Sequence, residues 1–360
     1  MGLLTGSIGY RSYCVLGEVP ANYKDTFLAL INRYLFKNFS DETEDETLGW
    51  VPCNDTLAEV IGFDEMFLNE YVLLTLRKDT RKVPGNILTA HTRHAVRCYR
   101  EEHQLERVPT RVRKELHERE HLRLLTKVFP SMQTCDLCWN VSSGRLYFFS
   151  SSERMNEDFT RLFQRTFGLE VLPLCPTRLL QLQGLELPGA DSRILGQEFL
   201  TWLVFKLDTA YLELTEALPI KTECWIDEQL SLRGETTRNS FSGPLSTSNL
   251  ETKIGVRRGN MVDRLRLGFR IGELEWRCTL TAPPQDKRSV AVPKGVAIEE
   301  DDAFYERVST IEQVEQVVFA LFDLFLDVRR TPETWQPEQL AFAGWLAELP
   351  LDSLPTPEQR

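Results

Sequence analysis

Apolar and polar positions change period several times along the chain, and each change marks an element. Within residues 9–18, Tyr13 and Val15 alternate with polar neighbours as in a half-buried strand. After Pro20, Phe27, Ile31, Tyr34 and Leu35 recur at helical spacing. The acidic stretch 41–46 reads as a solvated loop, Gly49-Trp50-Val51-Pro52 as a short extended segment ended by its proline, and residues 71–76 as a strand. Two helical patterns follow, over about 84–104 and 110–128, broken at Val108-Pro109, and together they predict a helical hairpin. Residues 133–141 and 145–150, joined by Ser142-Ser143-Gly144, have the composition of a β-hairpin. A helix over about 153–167 and a strand over 169–174 come next.

Beyond Pro176 the pattern predicts a helix around 194–205, a strand-rich stretch over 221–280 and a long closing helix through Val317, Leu321 and Leu324. That helix begins either at Ser309, which has the Ser-x-x-Glu spacing with Glu312, or nearer Asp302. The five prolines beyond Arg330 suggest a loosely packed extension. The expected fold class is therefore α+β, two α+β units with a protruding charged helical hairpin. Residues 1–77 and 131–175 make a central domain, 78–130 the hairpin, 176–330 a base domain and 331–360 the extension.

Composition adds little to this picture. A chain of 360 residues with 42% hydrophobic and 26% charged residues is an ordinary globular protein of two or three packed parts. Apolar runs such as 199–205 and 317–325 fall well short of the roughly 20 residues of a membrane span, so no membrane partner is expected. The first 30 residues have no basic start and apolar core of an export signal, which makes the cytosol the expectation. The eight cysteines are scattered and read as reduced thiols.

Charge changes the picture more. The net charge of −11 argues against a polyanion partner until its distribution is considered. Residues 77–127 hold fourteen Lys and Arg against seven Asp and Glu, 14 − 7 = +7, which leaves −18 on the remainder. At about 100° per residue, Arg93, Arg97 and Arg100 fall within about 60° of one another on the first hairpin helix. Arg119, Arg123 and Lys127 form a second row, and Arg77, Lys78, Arg81 and Lys82 precede the hairpin and extend the track. Rows of this length suit successive phosphates, with arginine favoured for two-pronged oxygen contacts. Six neutralised phosphates correspond to a logarithmic salt slope of roughly −5, with no sequence code. The competing reading is an ordinary solvated surface, with Glu101, Glu102, Glu115 and Glu120 pairing across turns.

The same stretch contains His117-Glu118-Arg119-Glu120-His121, formally the H-E-x-x-H of zinc hydrolases. Charged residues between the glutamate and the second histidine, and no later histidine as a third ligand, make a zinc site a poor fit. Cys135-Asp136-Leu137-Cys138 lies in a predicted strand with no second pair and reads as small strand residues. His91, His94 and Cys98 share a helical face with Ile87 and Leu105 and read as packing residues. No phosphate-binding glycine loop or nucleophile elbow occurs, and the carboxylates of 41–46 and 299–302 look like exposed runs. A nuclease site would need carboxylates converging from distant positions onto two metal ions.

An order of segments completes the reading: Gly49-Trp50-Val51-Pro52, a strand leading into Arg77-Lys78 and Pro84, the charged hairpin, 124–129, the Trp139 strand with Gly144, and Val171-Leu172-Pro173-Leu174. In this the chain resembles the RdgC family of bacterial recombination-associated proteins, most closely over about 45–175. The resemblance implies a nucleoid-associated, ring-shaped homodimer that encircles double-stranded DNA without sequence preference and restrains RecA-mediated strand exchange. Single-stranded DNA and RecA itself are further expected partners; no catalytic residue, cofactor or metal is implied. The hairpin resembles the tip where two subunits meet, with Phe129 at the closing contact; a local core role for Phe129 is the alternative. The chain departs from the family pattern at Arg233-Gly234-Glu235, where a basic pair is expected near a second dimer contact. It departs again at 196–206, an apparent insertion whose Phe199, Trp202 and Phe205 have the spacing of a core helix.

Overall fold

Strands and helices alternate from the first residues of the chain in a computed structural model. It describes residues 3, 8–41, 43–182, 184, 187, 191, 194–209, 221–243, 245–282, 286–291 and 300–348. The first half contains β1 (Ile8–Leu16), α1 (Tyr23–Ile31), β2 (Glu46–Val51), α2 (Phe63–Met66), β3 (Phe67–Leu68), β4 (Tyr71–Thr80), α3 (Gly85–Glu102) and α4 (Thr110–Leu125). Then come β5 (Ser131–Asn140), β6 (Arg145–Phe148), α5 (Glu153–Phe167), β7 (Glu170–Pro173), α6 (Pro176–Leu182) and α7 (Leu195–Thr209). The last part contains β8 (Thr222–Arg233), β9 (Arg238–Ser242), α8 (Leu245–Arg257), β10 (Met261–Ile271), β11 (Leu274–Thr281), β12 (Lys287–Ala291), α9 (Glu300–Arg329) and α10 (Pro332–Ala347).

The chain divides into two units, one of Gly17–Gly144 with Glu157–Glu170 and one of Met1–Leu16, Arg145–Asn156 and Val171–Arg360. This differs from the expected 1–77 plus 131–175 division at the first strand. β1 pairs antiparallel with β12 and β6, so its hydrogen bonds tie it to the C-terminal unit. Pairing across nearly 300 residues of sequence is set by tertiary context, which local periodicity does not contain.

In the first unit β4 lies between β2 and β5, all antiparallel, and β3 pairs with the start of β4. Phe159, Phe163 and Phe167 of α5 recur at helical spacing and are buried. Phe27 of α1 stacks on Trp139 of β5 at 5.2 Å and meets Phe167 at 4.9 Å, and Trp139 meets Phe163 at 5.4 Å. Such ring pairs add about 0.5–1.5 kcal/mol each beyond their buried area. The helix expected to run through Tyr34 and Leu35 stops at Ile31. Those two residues instead run beside β2: Trp50 N donates to Tyr34 O at 3.0 Å and Phe36 N to Trp50 O at 2.9 Å. The backbones approach so closely that a Cβ on Gly49 would sit 2.3 Å from Phe36 Cα. Gly49→Ala is therefore expected to lower stability by about 1–3 kcal/mol, the usual cost of overpacking, read as a lower urea midpoint at constant slope.

The sheet of the second unit has the order β6-β1-β12-β11-β10-β8-β9, with β7 on β1. Residues alternate between its two faces over 222–227 of β8, 264–270 of β10 and 275–278 of β11. Cys224, Ile226, Leu265, Leu267, Phe269, Trp276, Cys278 and Leu280 are buried on one face. Their neighbours Glu223, Trp225, Asp227, Arg264, Arg266, Arg270 and Arg277 occupy the other and are partly or fully exposed. α7 and α8 use the buried face: Val262 N donates to Thr201 Oγ1, and Gly255 lies against Leu232. On that face Lys287 and Glu315, 0% and 1% exposed, pair at 3.0 Å, and Ser12 Oγ donates to Glu315 at 2.9 Å. Charges this deep persist only when paired, and here the pair joins α9 to the sheet.

Two expectations for this unit change and one open choice is decided. The strand-rich stretch 221–280 is interrupted by α8, and the closing helix starts at Glu300, nearer Asp302 than Ser309. Residues 332–347 are not loose: α10 buries Trp345, whose Nε1 donates to Asp208, and Glu338 accepts from Trp202 Nε1 at 2.8 Å while pairing with Lys206 at 2.7 Å. Pro332 occupies the first helical position, where a missing N–H costs nothing. Pro337 lies inside α10, and residues 349–360, with the remaining three prolines, lie outside the described residues. The 196–206 segment forms the core of α7, with Phe199, Trp202 and Phe205 buried as their spacing predicts.

Candidate nucleic-acid interface

α3 and α4 fall within a few residues of their expected ends because Pro84 and Pro109 each stand immediately before a helix. Their seam is thin. No residue of α3 is buried, and α4 contributes Leu116, Glu120, Leu124 and Leu125. At the base Leu124 and Leu125 cluster with Val83, and Leu88 and Val128 pack against them.

Arg93, Arg97 and Arg100 are all exposed on α3. They point away from the partly buried Leu88, Thr92, Ala95, Val96 and Tyr99, which face the other way round the helix. Their restraints are weak: Arg97 stands 3.9 Å from Glu101 and 3.4 Å from His94 Nδ1, an exposed arrangement of little energetic weight. The expected solvated-pair pattern exists, since Arg111 also pairs with Glu115 at 2.9 Å, but it leaves the arginine row open to solvent.

The second row borders the seam. Arg123 donates through Nε and Nη2 to Oε2 of the buried Glu120 at 2.8 and 2.6 Å, and Nη2 also reaches His91 Nδ1 at 3.1 Å. A guanidinium only donates, so His91 Nδ1 accepts and its proton sits on Nε2. Arg123 is thereby a clamp between the two helices although its side chain stays 44% exposed, and Arg119 and Lys127 are exposed as well. His94 and Cys98 are exposed and 3.6 Å apart rather than packed, which corrects their reading as packing residues; only His91 meets the seam. His117 Nδ1 lies 3.1 Å from Thr92 Oγ1 and Glu120 is held by Arg123, so members of the H-E-x-x-H stretch serve the helix seam. Among the described residues no group of His, Cys, Asp and Glu is gathered to hold a metal ion.

Arg77 and Lys78 are corrected. β4 runs to Thr80, so both lie within a sheet rather than before the hairpin. Lys78 is 4% exposed and pairs with Asp158 at 2.6 Å and Glu46 at 2.9 Å; it is not available to a phosphate. Arg77 grips Asp79 at 2.7 and 3.0 Å, donates to Thr56 O and stacks on Phe36 at 4.0 Å. Arg81 stacks on Phe39 at 3.9 Å and remains partly exposed, and Lys82 is exposed. Phe129 is 94% exposed, which rules out the local core role.

Two sets of residues were missed by the sequence reading. Arg107, Arg111, Arg113 and Lys114 are exposed around the start of α4, which has no acidic residue in its first turn and no side-chain cap. Cations at the positive end of a helix cost roughly 0.3–1 kcal/mol each, and an anion there offsets that cost while meeting unpaired backbone N–H groups. The signal was the run Arg111-Val112-Arg113-Lys114 directly after Pro109. The other set is the exposed-face arginines of the second unit, whose signal was the period of two in Arg264, Arg266 and Arg270.

Burial pushes the Cys224 and Cys278 thiols up to about 12 and the Cys53 thiol up further, so all three stay protonated and unreactive near neutrality. None of the eight cysteines is in a disulfide. Among the described residues no helix is long and apolar enough to cross a membrane.

Residues 25–183 match the family model described as "RdgC: Putative exonuclease, RdgC", a span that takes in α3, α4 and Phe129. No curated protein matches the chain.

Proposed function

Residues 25–183 of this chain belong to the RdgC family, and from that membership we propose that the protein binds double-stranded DNA without sequence preference and acts in recombination. The observation that carries this reading is the open row of Arg93, Arg97 and Arg100 on α3, within a stretch of net charge +7 on an otherwise acidic chain. Arg119, Lys127, Arg81 and Lys82 extend the same charge, and Arg107, Arg113 and Lys114 join them. An acidic remainder suppresses adventitious contacts and leaves this surface as the preferred phosphate track.

The finer proposal is a homodimeric ring, closed through Phe129, that encircles DNA and restrains RecA-type strand exchange in the nucleoid. A phenylalanine this exposed is a recognised interface anchor. Encirclement predicts slow escape from closed circular DNA and fast escape from linear DNA of the same length. Phe129→Ser is expected to leave the melting temperature unchanged, since the side chain packs on little, and to make escape from circles as fast as from linear DNA. Equal escape rates in the unaltered protein would contradict the ring.

A second reading, a protein-interaction module, is favoured by a different surface. Leu57 and Val60 are 68% and 66% exposed in a segment shaped by Asp55 accepting from Leu57 N and Glu65 accepting from Gly62 N. Partner binding that persists at about 0.5 M salt, where phosphate contacts collapse, would favour this reading. Nuclease action, named in the family description, predicts magnesium-dependent loss of linear DNA that is abolished by mutating one carboxylate cluster.

A further inference from the structure

We propose that the open face of β8, β10 and β11 is a second nucleic-acid site, which takes single-stranded segments by stacking an unpaired base on Trp225. The proposal rests on the reading of the chain as a nucleic-acid binder, but on a different unit and a different chemistry from the hairpin.

Register places the site. Gly268 pairs with Trp225 on one side and Arg277 on the other, and Arg270 pairs with Glu223 and Glu275, so these residues share one face. Trp225 leans across Gly268: a Cβ there would lie 2.4 Å from indole Cε2 and Nε1. Only glycine leaves room for the ring to rest on the neighbouring strand, which fixes an aromatic group that remains partly exposed. The Arg270 guanidinium lies 5.8 Å from the ring centroid, and Arg266 and Arg277 share Asp227 at 2.7 and 3.4 Å. Neither α7 nor α8 covers this face, since both pack through the alternate residues Val262 and Leu232.

Chemistry selects the ligand. Four arginines, Arg264, Arg266, Arg270 and Arg277, stand beside three carboxylates, Glu223, Asp227 and Glu275, and 4 − 3 = +1 is too little charge for binding led by phosphates. A ring on an open sheet, flanked by guanidinium groups that can exchange carboxylate for phosphate, instead suits an unstacked base with its backbone alongside. Bases inside a duplex cannot reach it. The site should therefore prefer single strands and lose little affinity with salt, in contrast to the hairpin.

The test measures fluorescence anisotropy of a labelled 15-nucleotide oligothymidylate and of a duplex with the full-length protein. Stacking one base is worth roughly five- to 150-fold in affinity. Trp225→Leu is expected to bind the single strand about tenfold more weakly with duplex affinity unchanged, and Trp225→Phe to stay within about threefold of the original. Should Trp225→Leu not fold, photo-crosslinking of unaltered protein to 5-iodouracil oligonucleotides decides: crosslinks on residues 222–233 support the site, and crosslinks confined to 77–127 overturn it. Single-strand affinity unchanged in folded Trp225→Leu also overturns it. Single-strand affinity unchanged in Trp225→Leu beside salt-sensitive duplex binding marks failure of this site alone, whereas absent duplex binding beside Trp225-dependent single-strand binding marks failure of the duplex reading alone.

Discussion

Reversing Arg93, Arg97 and Arg100 to glutamate is expected to weaken duplex binding on the order of a hundredfold at about 0.1 M salt, equally for every sequence tested. If six phosphates are neutralised by the unaltered protein, removing three contacts lowers the logarithmic salt slope from roughly −5 to between about −2 and −3. The substituted side chains are exposed and point away from the α4 seam, so stability should stay within about 0.5 kcal/mol. The Arg97–Glu101 pair lost in the variant is worth little at 3.9 Å in solvent. Anisotropy titrations of two unrelated duplexes over a salt series check all three expectations. Unchanged affinity in a folded triple variant removes the row from the interface.

Lys78→Met should do the opposite. Lys78 holds the 8%-exposed Asp158 carboxylate and Glu46 across the interior of the first unit, and once the lysine is gone Asp158 keeps, among the described residues, Arg161 at 2.5 Å. Removing the buried partner leaves the Asp158 carboxylate cut off from water with the largely exposed Arg161 as its remaining counter-ion, at a cost of up to about 3–5 kcal/mol. The urea midpoint should fall accordingly, while the fraction that remains folded binds DNA as before. A variant of normal stability with weakened duplex binding would return Lys78 to the phosphate track. The measurement thus separates two roles that a lysine in a basic stretch can have.

The hairpin was legible because its information is local. Period, two prolines and a charge excess all lie within residues 77–127, and the row on α3 follows from helical angle alone. Arg77 and Lys78 were misread because the length of β4 depends on its partners: the ladder reaches Thr80 by pairing with Glu46 on one side and Ser131 on the other, both far away in sequence. Arg123 fits the row by angle and is exposed, but its added part as a clamp was not legible, because its partner His91 belongs to the other helix. The second-unit arginines stood in plain alternation at 264, 266 and 270. Which face of a strand meets solvent, however, is decided by the helices that cover the other, and α8 was itself hidden within an apparently strand-rich stretch. The prolines after Arg330 suggested looseness, although Pro332 is suited to a helix start and Trp345 supplies the anchor.

Whether positive charge on the hairpin binds duplex DNA through the phosphate backbone is decided by titrating purified full-length protein with one 30-base-pair duplex of arbitrary sequence from about 0.05 to 0.5 M salt. Tight binding at the low end, a logarithmic slope of roughly −5 and no measurable binding at the high end are expected. A slope near zero, or no binding even at about 0.05 M, would contradict this mode of binding.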